Sequence, residues 1–338
     1  MKSREITIVL AVLFCLMALS QQTRAGEWTS GTATAPSGTR NYKLWVPAKV
    51  KPDKPVPLVM MLHGCMQKPE DLAVISGMNN VADQAGFLVV YPEQTKAANA
   101  LNCWNWFDPS HQRRDAGEPA ILAAVIAQVK STNRIDERRV YVAGISAGAA
   151  MAVVMGVAYP DLFSAIGASA GLEYQAAVNA QAGLTAMKSG GPNPVEQGIG
   201  AAKLMAEHFP KGAKPRMPVI IFQGDADPYV DPLNADQLIA QWAAINDLLD
   251  DGKSDGSVKS TSAKTADGEV PGGHKYTRTI YHDHHGNGLM EKWLVKGLGH
   301  AWSGSPAAAP FADPKGPNAS EQMWRFFSAT SLAQGKTR

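Results

Sequence analysis

Residues 138–160 read RRVYVAGISAGAAMAVVMGVAYP. A β-branched, apolar run over 140–143 passes straight into Gly144-Ile145-Ser146-Ala147-Gly148 and then into an alanine-rich stretch of helical composition. Small residues on both sides of a serine at a strand-to-helix junction suit a sharp, strained turn. Such a turn lifts the Ser oxygen clear of the backbone, and glycine permits both the strain and the close approach of neighbouring strands. A plain tight turn that contains Ser fits the same five residues, so the surrounding chain has to decide.

The surroundings repeat one pattern. Short, nearly continuous apolar runs occur at 58–62, 87–91, 140–143, 163–168 and 219–222, which predicts strands buried on both faces, as in a parallel sheet covered by helices. Helical spacing alternates with them over 69–85, 120–130, 147–159, 198–209, 233–249 and 319–327, while 42–46 reads as an antiparallel edge strand. This predicts an α/β fold with a mostly parallel, doubly wound sheet flanked by helices. Residues 175–197 read as an excursion above the sheet, and the polar segment 250–273 as a mobile surface loop. Neither divides the chain, so residues 26–338 are expected to form a single catalytic domain.

The first 25 residues stand apart. Lys2 and Arg4 precede an apolar run from Ile6 to Leu19, and Thr23-Arg24-Ala25 offers a cleavage point before Gly26. That is the pattern of a secretory signal peptide over residues 1–25, with an uncleaved anchor as the alternative. Its removal takes away Lys2, Arg4 and Arg24 against Glu5 and brings the formal charge from +2 to 0, which gives no support to nucleic-acid or anionic-membrane binding. Cys15 leaves with it. Cys65 and Cys103 remain, and an even pair in a secreted or periplasmic protein favours one disulfide over two free thiols.

A nucleophilic serine needs a base, a carboxylate to orient the base, and amides for the developing oxyanion. Ser146 is followed by Gly224-Asp225-Ala226-Asp227-Pro228-Tyr229-Val230 after an apolar run, and then by Gly297-Leu298-Gly299-His300-Ala301-Trp302. Ser, Asp, His is the chain order of α/β-hydrolases. Asp225 and Asp227 compete as orienter; the Gly-x-x-Asp-x-x-Val spacing favours Asp227, and Asp225 suits a turn. Ala147 at the helix start, and the loop of LHGC at 62–65, are the expected oxyanion amides. The HDHHG segment at 282–286 reads as a hairpin edge rather than a metal site, and no metal or organic cofactor is expected.

With LHGC, CWNWF at 103–107, GISAGAAM at 144–151, GDADPYV at 224–230 and GHAW at 299–302 in order, residues 40–328 resemble the polyhydroxybutyrate depolymerase-like esterases, relatives of secreted feruloyl and acetylxylan esterases. The resemblance implies an α/β-hydrolase fold. It also implies Ser146 as nucleophile, Asp227 as orienter, His300 as base, Cys65 and Ala147 as oxyanion amides, and a Cys65–Cys103 disulfide. Trp302 is implied near the substrate, and Trp106 and His63 are expected to line the same cleft, with buried packing as the other account of Trp106. Ser303-Gly304-Ser305 departs from the Pro-Gly-Gly frequent in the family. No polymer-binding module follows, so small or oligomeric esters are the expected substrates. A peptidase of the same fold, or a non-catalytic polyester- or glycan-binding protein on that scaffold, are the alternatives.

Overall fold

The computed structural model describes residues 26–209, 215–261 and 263–330. The signal peptide expected over 1–25, with Cys15, lies outside the described residues.

Strands β3 (Val56–Leu62), β4 (Leu88–Pro92), β5 (Ile135–Ile145), β6 (Ala165–Ser169), β7 (Val219–Gly224) and β10 (Gly288–Val295) form the parallel centre of one ten-stranded sheet. Antiparallel strands finish both edges. They are β1 (Glu27–Ala35) and β2 (Gly38–Val46) beside β4, and β9 (Lys275–His282) and β8 (Ala263–Glu269) beside β10, giving the order β1-β2-β4-β3-β5-β6-β7-β10-β9-β8.

The central strands carry apolar runs because both their faces are covered. Leu58, Met60, Leu88, Val90, Val140 and Val142 enter one core layer, and their alternates Val59, Met61, Val89, Tyr91, Tyr141 and Ala143 enter the other. The first layer is closed by α3 (Gly117–Thr132), α4 (Ala147–Ala158) and α7 (Leu233–Asp251), and the second by α1 (Pro69–Ser76), α2 (Met78–Ala85) and α8 (Ala319–Ser328). Helix α4 is buried along its whole length, which explains its alanine and small-residue content: bulkier side chains would hold it off the sheet.

Three local expectations change. The helix expected over 69–85 is two, because Gly77 adopts φ 60° and caps α1 in the left-handed conformation. The excursion over 175–197 contains α5 (Ala180–Ser189) and leads into α6 (Pro194–Ala206), which starts at the Asn193 cap instead of at 198. The segment 250–273, expected as a surface loop, contributes the edge strand β8. HDHHG forms the turn between β9 and β10, as a hairpin edge requires.

Candidate active site

Three loops at the carboxyl ends of parallel strands converge. Ser146 follows β5 and opens α4 with φ 57° and ψ −125°, a strained conformation for a non-glycine residue. The turn is held from below, as the Ser146 amide donates to Ser169 O at 2.9 Å.

Asp227 lies past β7. Its Oδ2 is 2.7 Å from His300 Nδ1, and its Oδ1 accepts from the amides of Tyr229 at 2.8 Å and Val230 at 2.9 Å. Burial alone would raise its pKa, but the His300 bond and charge and the two amides hold the carboxyl below the usual range. It is therefore an anion aimed at the imidazole. Asp225 does something else: it accepts from Gly297 N at 2.6 Å and ties its turn to the His300 loop.

His300 stands between two aromatic rings, Tyr229 at 5.3 Å and Phe311 at 6.1 Å, each edge-on. With Nδ1 engaged by Asp227, Nε2 is left for the cavity that His300 shares with Ser146. No hydrogen bond joins the two among the described residues, and such bonds commonly tighten only when substrate arrives. The cavity measures about 150 Å³, with Ile145, Met66, Met187, Tyr229 and Phe311 as apolar wall and Gly64, Cys65 and Gln67 on the remaining side. The amides of Cys65 and Ala147 have no protein acceptor among the described residues. Cys65 is bonded to Cys103.

The structure thus brings together Ser146, Asp227, His300, Cys65 and Ala147, and it sends the three expected substrate contacts elsewhere. Trp302 is fully buried in the second core layer, and its Nε1 donates to Ser320 Oγ at 3.2 Å. Trp106 packs in the first layer against Phe107. His63 is fully buried with both ring nitrogens engaged by backbone. None of the three lines the cavity, because each side chain is buried in protein. The walls that do line it, Met66, Met187, Tyr229 and Phe311, carried no recognisable signal apart from Tyr229, which stands inside GDADPYV. At HDHHG, Asp283 accepts from the amides of His285 and Asn287 and pairs with Arg216. Among the described residues no group of three His, Cys, Asp or Glu side chains is placed to hold a metal ion.

The sheet, its order and the strand-end loops define an α/β-hydrolase. A solved acetyl xylan esterase from Aspergillus awamori has the same fold, with a TM-score of 0.68 over 90% of this chain and 99% of that one at 18% identity. Residues 40–264 match the model of the family described as esterase PHB depolymerase, and the chain belongs to that family. It is 29% identical to poly(3-hydroxyalkanoate) depolymerase C of Paucimonas lemoignei over 87% of this chain and 66% of that one. It is also 29% identical to acetylxylan esterase A of Talaromyces purpureogenus, over 76% and 69%. The chain spans just under two thirds of the depolymerase's own length.

Proposed function

We propose that the protein is a serine esterase that cleaves short-chain or oligomeric carboxylic esters through an acyl-enzyme. The carrying observation is a strained Ser146 in the same cavity as a His300 whose Nδ1 lies 2.7 Å from a buried, low-pKa Asp227. His300 Nε2 takes the Ser146 proton as Oγ attacks the ester carbonyl, and the carbonyl oxygen becomes an oxyanion received by the Cys65 and Ala147 amides. Asp227 holds the Nδ1 proton and stabilises the imidazolium. The alcohol departs with the proton from Nε2, and water activated by the same nitrogen then releases the acid. The apolar wall and the modest volume suit a short acyl group. The leader-like residues 1–25 and the disulfide support export from the cytoplasm, and among the described residues no helix is long and apolar enough to cross a membrane.

The test is hydrolysis of p-nitrophenyl esters from acetyl to octanoyl, with wild type and Ser146→Ala. Turnover should favour short acyl groups and fall on the order of 10⁴-fold or more in the variant. A fluorophosphonate should label the Ser146 peptide in mass spectrometry. A folded protein whose Ser146 stays unlabelled and whose activity survives the substitution would sink the reading.

A further inference from the structure

The peptide unit between Gly64 and Cys65 carries the Gly64 carbonyl at one end and the Cys65 amide at the other. In a planar trans peptide those two groups point in opposite directions, so whatever holds the carbonyl aims the amide. His63 Nδ1 lies 2.8 Å from Gly64 O, and its Nε2 lies 3.1 Å from the Gln94 amide nitrogen. A carbonyl only accepts and an amide only donates, so the ring is neutral with its proton on Nδ1. Burial pushes its pKa down to about 4, against the pull of the Gly64 carbonyl and of the Asp71 and Glu70 charges, so this tautomer persists at neutral pH.

The peptide on the other side of Gly64 is held as well: the Gly64 amide donates to Gln67 Oε1 at 2.8 Å. Gln67 is buried at the cavity wall, so this bond sits beside the nucleophile. Behind His63 the anchor is rigid, because Gln94 Oε1 accepts from Arg40 and its Nε2 donates to Cys103 O and to the buried Glu118. Both backbone groups of Gly64 are thus gripped by side chains on either side of it.

We propose that His63 and Gln67 form a clamp on Gly64 that fixes the Gly64–Cys65 peptide with its amide toward Ser146, making them positioning residues for the oxyanion site. The proposal rests on the ester-hydrolase reading above. Without the clamp the Gly64 carbonyl keeps only the long 3.4 Å bond from the Gln67 amide, and the peptide can rotate to present a carbonyl oxygen where the substrate oxygen becomes negative. A preset donor avoids that reorganisation at the moment of reaction.

The experiment compares wild type with His63→Leu, His63→Asn, Gln67→Met and the His63→Leu/Gln67→Met pair on p-nitrophenyl butyrate. Inhibition by a butyl trifluoromethyl ketone, whose adduct with serine carries an oxyanion, is measured alongside. The Leu and Met variants should lose on the order of 10²-fold in kcat with KM little changed, and ketone affinity should fall in parallel. His63→Asn, whose amide N–H reaches the same carbonyl, should recover most of kcat. The pair should fall no further than the worse single variant, since the two side chains grip the two peptides of one residue, Gly64, and either loss frees its backbone. Gln67→Met keeps the test alive if the buried His63 variants fail to fold, as judged by melting and an intact disulfide. Unchanged kcat and ketone affinity in folded Gln67→Met, with wild type active and Ser146→Ala inactive, would overturn the clamp alone. A wild type with no Ser146-dependent hydrolysis would overturn the esterase reading and the clamp with it.

Discussion

Glu173, just past β6, is 2% exposed, and neither of its carboxyl oxygens has a hydrogen-bond partner among the described residues. It packs against the chain between α5 and α6, where a Cβ added at Gly191 would sit 2.5 Å from its Oε1. Burial pushes its pKa up to about 8, so at neutral pH it is a neutral acid. The folded state therefore keeps a proton that the unfolded chain releases between about pH 4.5 and 8, and stability declines as pH rises through that window. Glu173→Gln should flatten the decline, with a gap between variant and wild type that grows to a few kcal/mol by pH 8.5. Urea melts at pH 5, 7 and 8.5 read this directly, and parallel pH trends would refute it. Nothing in the sequence marks Glu173, since no local pattern announces that a carboxylate is buried alone. Ser146, Asp227 and His300 were legible because chain order and glycine-flanked loops constrain them. Trp302 was not: a tryptophan beside a catalytic loop reads the same whether it faces the cavity or the core.

At the scale of elements, the approach of α4 to β3 sets the geometry of the site. A Cβ added at Gly148 would lie 2.0 Å from Leu62 O and 2.5 Å from His63 O, so the first turn of α4 rests on the backbone that leads into the oxyanion loop. Gly148→Ala should push that loop away, costing about 1–3 kcal/mol in stability and a larger share of kcat than of KM. Thermal melting with steady-state kinetics checks both, and a near-normal kcat would show that the contact is slack. The same physics explains which elements could be read. Parallel strands β3, β4 and β7 are apolar on both faces and announce themselves as unbroken runs, whereas Glu291 and Lys292 interrupt parallel strand β10, GLMEKWLV, and hide it. Edge strand β8, AKTADGE, is largely exposed and carries no apolar alternation, so it reads as loop. The break at Gly77 was equally silent, since one glycine in a helical pattern is commonly tolerated.

Across the whole molecule, the Cys65–Cys103 bond joins the proposed oxyanion loop at the end of β3 to a segment 38 residues later. Closing a loop of that length contributes about 4 kcal/mol in the chain-entropy model. Cys103→Ala should lower stability by about that amount and reduce kcat as well, because the loop keeps its polar clamp and loses its covalent tie. Denaturant melts with kinetics separate the two effects, and an unchanged midpoint would exclude the covalent contribution. The register of the sheet has a further consequence, for the order in which the chain matures. Strands β5, β6, β7 and β10 line up only after long stretches of chain have been threaded into parallel pairing, a slow kind of contact to form. His300 follows the last of them. Until β10 docks against β7, His300 has no seat beside Ser146, and under the proposed mechanism a half-folded chain carries an unarmed nucleophile.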